Sequence, residues 1–232
     1  MSQKITQNLK TLRNQIRKKG KPNQTIKLVA VTKTRSAEQV SVAIEAGVSS
    51  IGENKVQEAE AKFSHIEKIK SVEKRLIGQL QSNKIKKAIK LFDTIDSVDS
   101  TKLAKKISKA SALIKKKQRV LIQVNTSDET TKGGFEKESI DEILSCFNLK
   151  NIKIEGLMTI GPTEPDNNKR EKAFILLRKI FSKINARLPE DKKMTELSMG
   201  MSGDFLLGIE NGSTMVRVGT SIFGKREEFV GR

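Results

Sequence analysis

Tryptophan and tyrosine are both missing from this 232-residue chain, and its nine phenylalanines supply all of its 4% aromatic content. Modules that read single-stranded nucleic acid stack bases on exposed aromatic rings. The absence of such rings argues against that class, although Lys+Arg 45 against Asp+Glu 27 leaves a formal charge of +18. That charge attracts phosphate-bearing partners of any kind. Much of it lies in helical runs such as Lys115-Lys116-Lys117 and Lys84 to Lys90, which read as solvated outer faces. A single cysteine, Cys146, excludes an internal disulfide framework. Its setting, Ile143-Leu144-Ser145-Cys146-Phe147, suits a small buried hydrophobe. With one histidine, His65, the chain offers no His/Cys metal site and no Cys–His nucleophile pair. No apolar run approaches the length of a transmembrane helix. Residues 1–20 are polar and lack the apolar core of a signal peptide. A reducing cytoplasm is the expected compartment.

What the chain does have is one pattern repeated. A helix is expected over residues 4–18, with Leu9, Leu12 and Ile16 at helical spacing. The breaker Gly20-Lys21-Pro22-Asn23 ends it. An apolar, β-branched run then ends abruptly at Lys33, and Ser36 is placed to cap a helix from Ala37 to Ala46. Further strands are expected over 48–52, 75–78, 92–96, 119–125, 152–158, 195–198 and 214–218. Helices between them fall over 55–70, 84–91, 100–115, 136–147, 169–187 and 205–210, with a last turn from Ser221. Eight strands alternating with helices imply a parallel sheet. Eight units without a break in composition favour a closed (β/α)8 TIM barrel with an extra N-terminal helix, residues 1–232 forming a single domain with its core over 26–226. An open doubly wound sheet is the alternative, but it requires no particular count of eight.

The active face of such a barrel is built from the loops that follow the strands. Lys33 ends an apolar row shared with Val29 and Val31. A low dielectric there disfavours the ammonium form, and a neutral lysine amine can form a Schiff base with a carbonyl. The plainer reading is a lysine that snorkels to solvent. The loops after strands seven and eight are the usual barrel phosphate site. Here they carry Gly200, Ser202 and Gly203, then Gly219, Thr220 and Ser221. Taken singly, each is an ordinary small-residue turn; together they form a candidate anion site. Arg217 shares a strand face with Met215 and Gly219. If that face points inward, Arg217 brings a fixed cation to the barrel mouth; otherwise it pairs structurally, with Glu196 as the nearest candidate.

Several motifs go further than generic barrel logic. Val29-Ala30-Val31-Thr32-Lys33-Thr34, Gly52-Glu53-Asn54-Lys55-Val56-Gln57-Glu58 and Ile77-Gly78-Gln79-Leu80-Gln81-Ser82-Asn83-Lys84 occur in that order. Gly156-Leu157-Met158-Thr159-Ile160, Leu197-Ser198-Met199-Gly200-Met201-Ser202 and the run from Ser213 to Gly224 follow them. The ordered set, over about residues 26 to 226, resembles the pyridoxal phosphate homeostasis protein family. The resemblance implies a barrel like the N-terminal domain of alanine racemase, binding pyridoxal 5′-phosphate (PLP). It implies Lys33 as the residue carrying the internal aldimine and Ser202, Gly219 and Thr220 as phosphate holders. It places Asn54 beside the cofactor and Arg217 at the pyridine nitrogen. Lys132, in the stretch from Asp128 to Gly134, matches a lysine that recurs near the cofactor face. Two positions depart from the family pattern: Lys74 and Arg75 stand where Trp-His is common, and Lys55 stands where Tyr is common.

The resemblance also bears on enzyme against carrier. PLP stabilises carbanions by drawing electrons into its ring. An arginine at the ring nitrogen cannot take part as a proton-accepting carboxylate would, so the electron sink is weakened. Racemases of this fold use a tyrosine as second base, and this chain has none. The expectation is a PLP-binding protein of intracellular PLP homeostasis, with no catalytic residue assigned. It would hold PLP as a Schiff base and buffer or supply it, with apo forms of PLP enzymes as candidate recipients. It would be monomeric, with no membrane, metal or specific nucleic-acid partner. The alternatives are a weak racemase-like PLP enzyme and, from another class, a basic nucleic-acid-binding protein.

Overall fold

The computed structural model describes residues 2–22, 24–127, 129 and 132–225. Asn23, Asp128, Thr130, Thr131 and the end of the expected core at 226 lie outside the described residues. The chain begins with α1 (Ser2–Lys19), then β1 (Lys27–Val31), α2 (Ala37–Glu45), β2 (Ser50–Glu53), α3 (Val56–Phe63), β3 (Glu73–Leu76) and α4 (Ile85–Leu91). It continues through β4 (Thr94–Val98), α5 (Thr101–Leu113), β5 (Gln118–Gln123), α6 (Ile140–Cys146), β6 (Ile152–Met158) and α7 (Asn167–Asn185). The last elements are β7 (Glu196–Met201), α8 (Phe205–Glu210), β8 (Met215–Val218) and α9 (Thr220–Phe223). The eight strands pair in parallel, each with its neighbour in sequence, and β8 returns to β1, so the sheet closes into a barrel.

The outward side chains of the strands pack under the helices. Ala30, Ile51, Leu76, Ile95, Val120, Ile122, Leu157, Val216 and Val218 are all buried in one continuous cluster with the apolar helix faces. Inside the barrel a second, smaller cluster joins Val29, Leu121, Met158 and Met215. This division follows from strand alternation. α1 contributes Ile5, Leu9, Leu12 and Ile16 from one face and packs against α2, α8 and α9. Local signals act where expected: the Ser36 hydroxyl accepts from the Gln39 N–H and the Gln39 side chain accepts from the Ser36 N–H, a reciprocal cap on α2.

Some boundaries differ from the sequence reading. β1 stops at Val31, so Lys33 lies in the turn beyond the strand. α3 stops at Phe63 because the Ser64 hydroxyl and the His65 ring both bond back to the Ala61 carbonyl, diverting the chain before a short 3-10 turn over Glu67–Ser71. β3 starts two residues earlier than expected, since Glu73 and Lys74 hide the strand's start behind their charges. Three strands carry register shifts, in β4, β6 and β7. The one in β7 coincides with Gly200 at φ 97°, a conformation glycine tolerates and other residues rarely adopt.

Candidate functional site

Closure of the barrel brings the ends of β8, β1 and β2 side by side, because β1 pairs with β2 on one flank and β8 on the other. Lys33 leaves the end of β1 half-buried, between buried Thr32 and exposed Thr34. Asn54 follows β2 and is half-buried. Its backbone is pressed against Gly78: a Cβ on Gly78 would lie 2.3 Å from the Asn54 carbonyl oxygen. Gly219 follows β8 and abuts Val31, where an added Cβ would sit 3.3 Å from the Val31 Cβ. Thr220 and Ser221 are exposed beside it.

The loop after β7 reaches this group through Ser202. Its hydroxyl oxygen accepts from the Gly219 N–H at 3.1 Å and from the Ser221 N–H at 3.5 Å. The hydroxyl proton therefore remains to donate outward. Gly203, next in sequence, is exposed, and a Cβ there would meet nothing within 4 Å. Asp204 fixes the loop by accepting from the Met201 N–H at 2.6 Å. The two small-residue loops expected to form an anion site thus share a hydrogen-bonded junction.

Arg217 points into the barrel and is 4% exposed. One terminal nitrogen donates to the Ser198 hydroxyl and carbonyl oxygens at 2.6 and 3.0 Å, and the other to the Thr159 carbonyl at 2.7 Å. These partners are neutral. Burial pulls the guanidinium pKa down to about 10, with Asp96 and Asp204 opposing, so it stays charged at neutral pH. Glu196, the candidate partner under the alternative reading of Arg217, is engaged elsewhere. It accepts from Arg75 at 2.8 Å and from Lys27 at 2.5 Å.

Those bonds belong to an ionic floor that fills the N-terminal end of the barrel. Arg75 is fully buried and donates to Asp96, Glu73 and Glu196, each at 2.8 Å. Lys27, Glu73 and Glu196 open their strands, and Arg119 adds bonds to Glu73 at 2.6 Å and Glu155 at 2.7 Å. Burial alone would raise the Glu73 pKa, but Arg75, Lys27 and Arg119 outweigh it and hold the carboxyl at about 2. Arg75 is therefore a structural residue of this floor.

A second buried network lies directly behind Lys33. Glu53 is fully buried at the end of β2. Its Oε1 accepts from the Thr32 hydroxyl and from Lys62 Nζ, each at 2.7 Å. Lys62 Nζ also donates to the Thr32 carbonyl at 2.7 Å and to Glu58 Oε1 at 3.0 Å. Glu58 Oε1 accepts in turn from the Thr34 N–H at 2.5 Å. Burial pushes the Glu53 pKa up, against the pull of Lys62 and Thr32. Its Oε2 has no hydrogen-bond partner. Burying such an ion pair costs several kcal/mol per ion, roughly cancelling the attraction gained.

Lys132 sits at the same end of the barrel but joins loops. Its amine donates to Glu129 Oε1 at 3.0 Å and to the Gly161 carbonyl at 2.6 Å, while Glu129 accepts from the Thr163 N–H and hydroxyl. This ties the loop after β5 to the loop after β6. The motif that contains Glu53 and Glu58 gives them no role, and neither Lys62 nor the floor around Arg75 stands out in the sequence as a motif. Two signals were present: a Glu ending an apolar strand, and Glu58 and Lys62 spaced i,i+4 on a helix face with apolar neighbours. No pattern within one element says which carboxylates meet Arg75, since its partners come from β3, β4 and β7.

The chain matches the family described as alanine racemase, N-terminal domain, over residues 2–227. It is 36% identical over 229 residues to the pyridoxal phosphate homeostasis protein of Pasteurella multocida (strain Pm70), covering 98% of each chain. It is 34% identical over 211 residues to the protein of the same name from Escherichia coli (strain K12), covering 90% of this chain and 89% of the relative. Among solved structures, PipY of Synechococcus elongatus PCC7942 with PLP bound superposes with a TM-score of 0.84 at 32% identity, covering 95% of this chain and 100% of that one. An alanine racemase from Clostridium difficile 630 shares the fold at a TM-score of 0.78 and 19% identity, with 61% of that chain covered.

Proposed function

This chain belongs to the pyridoxal phosphate homeostasis protein family, and from that premise we propose that it binds PLP at the mouth formed by β7, β8, β1 and β2. We read Lys33 as the covalent anchor, through a Schiff base. Ser202, Gly219 and Thr220 hold the phosphate, Asn54 lines the cofactor's edge, and Arg217 faces the pyridine nitrogen. The observation that carries the reading is the junction at Ser202. One hydroxyl draws two loops together through the Gly219 and Ser221 N–H groups and keeps its own proton for an anion, beside an open flank at Gly203. The strand pairing brings β1, which leads to Lys33, alongside β8, which leads to that junction.

The donor set fits this cofactor. A phosphate calls for hydroxyl and backbone N–H donors at a small-residue cradle. A pyridine nitrogen that is to stay unprotonated calls for a donor that keeps its proton. Arg217 meets that demand: it is buried, bonded to neutral groups, and charged at neutral pH. When bound, PLP supplies an electrophilic aldehyde and a ring that can draw electrons. Lys33 supplies the amine that captures the aldehyde carbon. Ser202 and Thr220 orient the phosphate, and the Val29, Leu121, Met158 and Met215 layer excludes water from below. With no tyrosine to act as a second base, we infer a carrier that buffers PLP and supplies it to apo forms of PLP enzymes in the cytoplasm. No helix among the described residues is long and apolar enough to cross a membrane.

Titration of the purified protein with PLP and with pyridoxal, followed by near-visible absorbance, tests this. The parent is expected to develop a Schiff-base band with PLP at much lower concentration than with pyridoxal, and Lys33→Ala to develop none at that site. Equal bands in parent and Lys33→Ala, or equal affinity for the two aldehydes, would remove the assignment.

A further inference from the structure

The network behind Lys33 is more elaborate than its position requires. Lys62 rises from α3, where its helix neighbours Val56, Ala59 and Phe63 are buried apolar residues. A leucine would fill that face without the desolvation that a buried ammonium suffers. All three ammonium protons nevertheless have acceptors within 3.0 Å: the Thr32 carbonyl, Glu53 and Glu58. The bonds converge on the two residues that flank Lys33. Thr32 is held three ways, by its carbonyl to Lys62, its hydroxyl to Glu53 and its N–H to the Gly52 carbonyl at 2.9 Å. Thr34 is held by its N–H to Glu58.

Thr34 also adopts φ 61°, in the left-handed region that a β-branched residue avoids. Strain of that kind persists only where the surroundings hold it, and it gathers at functional positions. Here the hold comes from Glu58, itself bonded to Lys62. The turn that carries Lys33 is therefore fixed from behind by these side chains.

We propose that Lys62, with Glu53 and Glu58, clamps the Thr32–Thr34 backbone so that the Lys33 amine is presented to the incoming aldehyde, making Lys62 a positioning residue for covalent capture. This rests on the PLP reading of the mouth. Capture joins the Lys33 nitrogen to the aldehyde carbon and releases one water, and the proton of the resting ammonium passes to solvent. The amine must meet the carbonyl at a narrow approach geometry, and fixing its backbone in advance removes that ordering cost from the binding step.

The test separates the clamp from the site it serves. Glu53→Leu/Lys62→Met removes the two most deeply buried charges together and leaves Glu58, which is partly exposed, with the Thr34 N–H alone, while Glu58→Ala releases only Thr34. In the PLP-free proteins, amide hydrogen exchange at Lys33 to Arg35 is expected to quicken at least tenfold in the double variant and several-fold in Glu58→Ala. With limiting PLP followed by borohydride, the fraction of Lys33 trapped is expected to fall about tenfold in the double variant and about threefold in Glu58→Ala. Unchanged exchange, or unchanged trapping in a variant that exchanges faster, overturns the clamp while leaving Lys33 as the anchor. If the double variant does not fold, Glu58→Ala decides the matter on the same readouts. A parent that traps nothing on Lys33 sinks the reading of the mouth instead, and the clamp's role falls with it.

Discussion

Replacing Arg75 with methionine probes the ionic floor on which the mouth is built. Arg75 is fully buried and is the only residue described as bonding Asp96, which is itself fully buried and already has one oxygen, Oδ1, without a partner. Glu73 and Glu196 would keep Lys27, and Glu73 also Arg119. The variant therefore strands one carboxylate in the barrel interior. Removing one member of a buried pair costs roughly 3–5 kcal/mol. At about 2–4 °C per kcal/mol for a chain of this size, the unfolding midpoint should fall by roughly 6–20 °C at pH 7. The pH dependence separates this cause from simple loss of packing. In the parent, Glu73 is held at about 2 instead of 4.5. A carboxyl depressed by that much contributes about 3 kcal/mol, present above the unfolded pKa and lost as pH falls toward 2. In the parent, burial already holds the Asp96 pKa above its ordinary value against the pull of Arg75; in Arg75→Met that pull is gone and the folded pKa rises further. The penalty fades as Asp96 takes up a proton, so the gap between variant and parent should narrow on acidification. Arg75→Met/Asp96→Leu should recover most of the loss. Thermal unfolding at several pH values checks all three points. A midpoint equal to the parent's, or a gap that widens on acidification, would refute the reasoning.

Three further outcomes are expected. Arg217→Glu places a carboxylate where the pyridine nitrogen is read to lie, so the bound cofactor's absorption should move toward the ring-protonated form and slow transamination of amino acids should appear; an unchanged spectrum would take Arg217 away from the ring. Ser202→Ala should weaken PLP binding about tenfold or more, the worth of a hydrogen bond to a charged group, while leaving pyridoxal affinity unchanged in the same titration. Gly78→Ala should lower the unfolding midpoint and weaken PLP binding together, because its Cβ would meet the Asn54 backbone at 2.3–2.9 Å; overpacking of this kind costs roughly 1–3 kcal/mol.

Much of the architecture was legible because a parallel barrel leaves strong local marks. β6 was read at its observed bounds, Ile152–Met158, since its apolar run is bracketed by turn residues. Charged strand starts were not legible. Glu73 and Lys74 fell outside the strand read from Arg75, because their charges reveal a strand only when other strands supply the partners of Glu73 and Arg75. The same reason hid the clamp. Lys62 lies 29 residues from Lys33 in sequence, and only the parallel register of β1 and β2 brings Thr32 to Glu53. The meeting of the loops at Ser202 and Gly219 was legible because a barrel of this type sets the loops after its seventh and eighth strands side by side. Of the two readings open for Arg217, the ion pair with Glu196 fails, because Arg75 and Lys27 occupy that carboxylate and Arg217 bonds Ser198 and Thr159.

Which nitrogen captures the aldehyde is the central chemical question. Reduction of the PLP-loaded protein with borohydride, followed by proteolysis and mass mapping, identifies that nitrogen directly. The reduced pyridoxyl adduct is expected on Lys33 alone at one equivalent of PLP, with Lys62 unmodified. An adduct spread over surface lysines, or seated on Lys132 with Lys33 untouched, would contradict it.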